Sequence, residues 1–91
     1  MNHWQELDKK LFMNTGHRRL GITLVRGEGA KVWDDQGKEY LDFIAGWAVN
    51  NLGHCHPVVV EAIREQAGKL MQVSMDVYNI PQVQLANLLL E

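Results

Sequence analysis

Residues 22–43 of the chain read ITLVRGEGAKVWDDQGKEYLDF, in which apolar and polar side chains alternate between clusters of turn-forming residues. The turn-forming clusters lie at residues 27–29 and 34–37, where glycine and aspartate favour tight reversals of the chain. In the last segment, Leu41 and Phe43 share one face of an extended strand. The pattern predicts a three-stranded antiparallel meander.

Helical spacing of apolar residues recurs on both sides of this meander. The first predicted helix, residues 2–13, starts with Asn2, a residue typical of helix N-caps, and Gly16 is a plausible stop. Prolines are favoured in the first helical turn, and two of them open further helices over residues 57–71 and 81–91. The predicted fold class is therefore α+β: an N-terminal helix, a three-stranded antiparallel meander and two helices.

Composition excludes several classes of protein. The 91 residues carry nine basic and eleven acidic side chains, a formal net charge of −2, so the basic stripe that nucleic acid requires is absent. The single cysteine, Cys55, cannot form an internal disulfide, which favours a reducing compartment such as the cytoplasm. No apolar run approaches the roughly 20 residues of a membrane span. We expect neither nucleic acid nor membrane as a partner.

The predicted last helix, residues 81–91, is apolar around most of its circumference and carries none of the usual stop signals. Burial of its four leucines corresponds to roughly 6–12 kcal/mol, close to the ~5–15 kcal/mol that stabilises a whole domain. A chain of this size has too small a core to cover such a helix alone. We therefore expect the 91 residues to be part of a longer protein.

The strongest candidate for a metal site is the run His54-Cys55-His56. On a strand the two histidines would share a face that the thiol does not, and on a helix they would lie on opposite sides. The alternative is a turn in which the histidines hydrogen-bond before the next helix. The Gly27–Gly29 segment lacks the third glycine of a dinucleotide-binding loop and is interpreted as a turn. Neither a metal ligand set nor a catalytic residue is predicted.

Two aromatic residues, Trp47 and Tyr78, lie in irregular segments rather than on a periodic face. Both side chains combine an apolar body with a polar tip, so each suits a binding surface as well as a core. The residues alone leave both interpretations open.

Three stretches of the chain resemble a known family. Residues 24–34 (LVRGEGAKVWD), 37–43 (GKEYLDF) and 48–57 (AVNNLGHCHP) closely resemble the start of class III pyridoxal-phosphate aminotransferases, above all acetylornithine aminotransferases. The resemblance implies part of the small domain of a fold-type I enzyme. It assigns residues 1–72 to that domain and residues 73–91 to a connector and first helix toward a large domain.

The resemblance also implies a function for the full-length enzyme. Such enzymes are homodimers of arginine biosynthesis that move an amino group between N-acetylornithine, or a related ω-amino donor, and 2-oxoglutarate. Their pyridoxal phosphate is held by a lysine whose motif none of the five lysines here matches. The chain alone is therefore expected to bind no cofactor and to be inactive. The alternative is a self-standing α+β interaction or dimerisation module without catalysis.

Two substrate-binding residues follow from the resemblance, Trp47 and Tyr78. In the related ornithine enzymes, aromatic residues at the matching positions line the substrate pocket. Acetylornithine enzymes usually have a small aliphatic residue where Trp47 stands, and residues 74–78 (SMDVY) replace a common Ser-Asn-Leu-Tyr-Tyr sequence. These departures predict a shifted substrate preference.

Overall fold

A computed structural model describes residues 2–15 and 19–91, and Gly16, the predicted stop of the first helix, lies outside them. The chain divides into two compact units, one ending at Pro57 and the other running from Val58 to Glu91. The boundary at residues 72/73 concerns the domains of a full-length enzyme and stays a prediction.

The first unit contains the predicted antiparallel meander. Strands β1 (Leu24–Glu28), β2 (Lys31–Asp34) and β3 (Glu39–Leu41) pair in the order β1-β2-β3. The β1–β2 connection is tighter than expected, since β1 includes Gly27 and Glu28 of the predicted turn and leaves only Gly29 and Ala30 as the loop. Gly29 has a φ of 58°, a value that glycine adopts without a steric penalty.

The β2–β3 hairpin is held by the carboxylate of Asp34. One oxygen accepts the backbone N–H groups of Gln36 and Lys38 at 2.9 and 2.8 Å, and the other accepts the Tyr40 hydroxyl at 2.9 Å. These bonds, above all that from the Lys38 N–H, lower the pKa of Asp34, while donation to Asp34 raises the pKa of the Tyr40 phenol. Gly37 provides the positive φ of 84° that the turn requires.

The sheet buries little side-chain surface. Val32 on β2 is 6% exposed and is the one hydrophobic side chain classed as buried in the described part of the chain. On β1 and β2, the Arg26 guanidinium carbon lies 3.6 Å from the centre of the Trp33 ring, in cation–π geometry.

The three predicted longer helices are present, and their ends lie within about two residues of the predicted ones except at the end of the second. Helix α1 (His3–Leu11) begins after Asn2, whose side chain accepts the Gln5 N–H at 2.9 Å. Helix α3 (Pro57–Ala67) ends about four residues before the predicted end at residue 71. Gly68, a weak helix former, follows the last residue of α3, and the Lys69 N–H bonds to the Gln66 carbonyl three residues earlier at 3.0 Å.

Helix α4 (Ile80–Leu89) begins after an asparagine N-cap, Asn79. The Asn79 side chain accepts the Gln82 N–H at 3.0 Å and donates to the Gln82 side chain at 2.9 Å. Within residues 2–15 and 19–91, no helix has the length and apolar character required to cross a membrane.

Candidate functional site

The β1–β2 loop is the point at which two later segments of the chain meet. His54 pairs with Gly29 through two backbone bonds, N–H to O at 2.8 and 3.1 Å. On the other side of the loop, the Asp42 N–H donates to the Ala30 carbonyl at 2.8 Å. The end of β3 and the segment before α3 are thereby brought together at one corner of the sheet.

Two glycines allow this close approach. A Cβ on Gly27 would lie 2.7–2.9 Å from atoms of the His54 side chain, and one on Gly53 would lie 2.9 Å from the Gly29 Cα. Real Cβ atoms essentially never lie so close to neighbouring atoms. Gly27, interpreted from the sequence as part of a turn, instead makes room on β1 for an imidazole ring.

The side chains of Asp42 and His54 form a pair at this corner. His54 Nε2 lies 2.6 Å from Asp42 Oδ2, and the two side chains are only 23% and 16% exposed. The other carboxylate oxygen, Oδ1, accepts the N–H groups of Ile44 and Ala45, both at 2.9 Å. These backbone bonds, led by that of Ala45, and the His54 bond lower the pKa of Asp42 to about 2.

The segment that Asp42 caps is a left-handed helical turn, α2 (Ala45–Ala48). All four of its residues have φ between 56° and 62°. The Ala48 N–H bonds to the Ile44 carbonyl and the Val49 N–H to the Ala45 carbonyl, each at 2.9 Å. The sequence indicated only a turn-rich connection here.

This turn is strained because three of its residues, Ala45, Trp47 and Ala48, are not glycine. A left-handed conformation costs an L-residue roughly 1–2 kcal/mol, so the three together cost about 3–6 kcal/mol. Backbone strain of this kind persists only where surrounding contacts enforce it, and it is concentrated at functional sites. Trp47, a sequence-predicted site residue, therefore lies within this strained turn.

Both predicted site residues are accessible. The Trp47 side chain is 81% exposed, and Tyr78, in the connector between α3 and α4 of the second unit, is 98% exposed. Neither belongs to a hydrophobic core within the described residues. Their assignment to a substrate pocket stays a prediction.

The histidine run adopts the alternative geometry of a turn. His54 bonds to Asp42, Cys55 has a φ of 53°, and Pro57 then begins α3. Across the residues that the structure describes, no three His, Cys, Asp or Glu side chains gather closely enough to hold a metal ion.

Sequence reasoning missed the Asp42–His54 pair. A signal was present at the first partner, since an aspartate directly after a strand often accepts N–H groups two and three residues later. The second partner lies twelve residues away, and nothing in the spacing indicates it.

Comparison with known proteins identifies the family. Residues 12–91 match the model of the family Aminotransferase class-III. The chain belongs to the class-III aminotransferases. Within this family, the acetylornithine aminotransferase of Methanopyrus kandleri is 56% identical over 96% of this chain and 22% of its own length.

Solved aminotransferase structures share the fold. N-acetylornithine aminotransferase from Stenotrophomonas maltophilia superposes with a TM-score of 0.80 at 42% identity, over 92% of this chain and 21% of that one. Taurine:2-oxoglutarate aminotransferase from Bifidobacterium kashiwanohense, solved with PLP and glutamate, gives 0.81 at 30% identity, over 92% and 19%. The chain thus spans about a fifth of the length of the relatives it matches.

The residues of this chain do not themselves fit pyridoxal phosphate. The cofactor needs an enclosed lysine and groups that bind its phosphate, yet all five lysines are exposed. Lys31 and Lys69 lie 3.5 and 2.9 Å from glutamate carboxylates. Lys38 lines a groove of about 550 Å³ together with Asp34 and Asp35, whose negative charges would repel a phosphate.

Proposed function

We propose that the chain is a segment of an acetylornithine-type aminotransferase and forms part of its amino-donor site. The observation that carries the proposal is the identity of 56% and 51% to two acetylornithine aminotransferases over 96% and 98% of the chain. The complete enzyme would transfer an amino group between N-acetylornithine, or a related ω-amino donor, and 2-oxoglutarate. It would act as a homodimer, and other parts of its chain would bind the pyridoxal phosphate.

In this proposal Trp47 and Tyr78 contact the amino donor. They are 81% and 98% exposed, and each combines an apolar ring suited to an alkyl chain with a polar tip. A large indole at position 47 takes up volume that a small aliphatic residue would leave for the donor. We therefore expect it to narrow the range of donors accepted.

The test of substrate class is a graft. The segment of the Methanopyrus kandleri enzyme that aligns with this chain is replaced by the chain, and the holoenzyme is assayed with 2-oxoglutarate and N-acetylornithine, ornithine or 4-aminobutyrate. We expect the highest kcat/KM with N-acetylornithine, and a changed ranking in Trp47→Ala. A folded, cofactor-loaded graft that is inactive with every donor would overturn the proposal.

The chain by itself should not transaminate, because its lysines are exposed and unsuited to the cofactor. Pyridoxal phosphate is added to the chain, and borohydride reduces any imine that it forms with a lysine. Peptide mass spectrometry then locates the labelled lysines. We expect weak labelling spread over several lysines, as in a control in which the same chain is unfolded in concentrated urea. Stoichiometric labelling of one lysine in the native chain alone would contradict this expectation.

One observation favours the alternative of an interaction module. Helix α4 exposes apolar side chains around its circumference, with Leu85, Leu88 and Leu89 between 58% and 74% exposed. A stable, defined homodimer of the chain together with an inactive graft would favour that module over an enzyme segment.

A further inference from the structure

We propose that Asp42 and His54 are positioning residues for donor selection: together they hold α2 in its left-handed form and thereby set the location of the Trp47 indole. The contact between Trp47 and the donor is taken from the proposed function. The control of the Trp47 backbone by Asp42 and His54 is independent of it.

Asp42 fixes the beginning of the turn. Its Oδ1 accepts the N–H groups of Ile44 and Ala45, both at 2.9 Å, the two groups that lead into the left-handed residues. The Ile44 carbonyl in turn accepts the Ala48 N–H at 2.9 Å. One carboxylate oxygen thus orients Ile44, whose carbonyl accepts the first hydrogen bond of the turn.

His54 fixes the carboxylate. Its Nε2 lies 2.6 Å from Asp42 Oδ2, and its backbone is bonded at both N–H and C=O to Gly29 in the β1–β2 loop. The His54 side chain also lies close against Gly27, since a Cβ there would be 2.7–2.9 Å from its atoms. The ring therefore has little freedom to move and connects the strained turn to the sheet.

The left-handed form is what matters for Trp47. Its φ of 62° and ψ of 50° place the side chain in a direction that a right-handed turn of the same residues would not reproduce. Alanine and tryptophan have no intrinsic preference for this conformation. If the Asp42 bonds are removed, we expect the segment to relax to ordinary negative φ and the indole to move.

The primary experiment uses the complete 91-residue chain. Amide and indole N–H correlation spectra and φ-dependent scalar couplings are recorded for the parent chain, Asp42→Ala and His54→Ala. Trp4 and Trp33 are internal references. Asp35→Ala is the matched control, because the bonds of Asp35 are to Thr23 and Asn2 and not to α2. Asp42→Asn keeps an oxygen acceptor and should remain closer to the parent.

A second pair of variants tests the link to the sheet without removing either partner. Gly27→Ala places a Cβ against the His54 ring, whereas Gly21→Ala places one in open space. We expect Asp42→Ala, His54→Ala and Gly27→Ala to shift the Trp47 indole signal and remove the positive φ at residues 45–48, with the hairpin signals retained. A left-handed turn that persists in Asp42→Ala would overturn the proposal, whatever the enzyme assays give.

The grafted holoenzyme then tests the consequence for donors. We expect Asp42→Ala to change KM for the donor more than kcat. Donor ranking should change by between about tenfold and a hundredfold, since a misplacement of about 1 Å can cost about a hundredfold. In a Trp47→Ala background the same change should have no further effect on ranking. If Asp42→Ala and Trp47→Ala change donor ranking additively, the role of Asp42 in donor selection is overturned. An inactive parental graft would overturn only the proposed function.

Discussion

At the scale of single residues, Asp42 is the group on which most of the local geometry depends. Both of its oxygens are engaged: Oδ1 by two backbone N–H groups and Oδ2 by His54. Bonds donated to a carboxylate favour its charged form, which is why its pKa falls to about 2. The left-handed turn and the charge on Asp42 are therefore linked.

This linkage predicts an acid transition in the turn. The pKa of Asp42 is lower in the folded chain than its ordinary value of 3.8. Its contribution to stability is thus present above about pH 4 and lost as the pH falls through about 2. We expect the Asp42 carboxyl ¹³C signal and the Trp47 indole signal to change together with a midpoint near 2.

Asp42→Asn is the control, because it removes the titrating group and should make the indole signal independent of pH in this range. A parent-chain midpoint at the ordinary aspartate value would contradict the bonding pattern. So would an indole transition that persists in Asp42→Asn.

Residue-scale features were only partly predictable from the sequence. Trp47 and Tyr78 could be singled out because they lie in segments without periodicity. The positive φ of Trp47 could not be predicted, since tryptophan rarely adopts it. Its cause is the carboxylate of Asp42, five residues earlier, which is held by His54. Long-range contacts of this kind leave no local pattern in the sequence.

At the scale of elements, prediction succeeded where local chemistry determines the structure. The meander follows from alternating residues and glycine-containing turns, and α4 follows from Pro81 in its first turn. The end of α3 was misplaced because apolar spacing continues past Gly68, although the backbone does not remain helical there. Side-chain periodicity extends further than the hydrogen bonds that define a helix.

The start of α4 gives a prediction with a matched control. Asn79→Ala removes the acceptor for the Gln82 N–H and should destabilise the helix by about 1 kcal/mol. Asn87→Ala makes the same change inside α4, where alanine is the better helix former, and should stabilise it slightly. Cα chemical shifts of Ile80–Leu89 measure both effects in the complete chain. Equal effects of the two substitutions would contradict the capping role.

At the scale of the whole molecule, the balance between apolar content and burial is unusual. The chain is 46% hydrophobic, yet among the described residues Val32 is the one hydrophobic side chain classed as buried. Folded monomers rarely expose large contiguous apolar surface unless it forms an interface. The relatives are about five times as long, so in those proteins further chain is available to cover the equivalent surfaces.

The exposed apolar surface predicts how the isolated chain behaves. Leu85 and Leu88 on α4 are 58% and 65% exposed. Burying a leucine is worth about 1.5–3 kcal/mol, so association of two chains through such side chains is favourable. We expect concentration-dependent association in sedimentation velocity and binding of a hydrophobic dye. Leu85→Lys with Leu88→Lys should weaken both, whereas Gln84→Lys, which adds charge at a polar position of the same helix, should leave them largely unchanged.

A chain that stays monomeric at all concentrations and binds no dye would show that α4 is not an association surface. An equal response to Gln84→Lys would show that added charge, rather than the loss of leucine contacts, controls association.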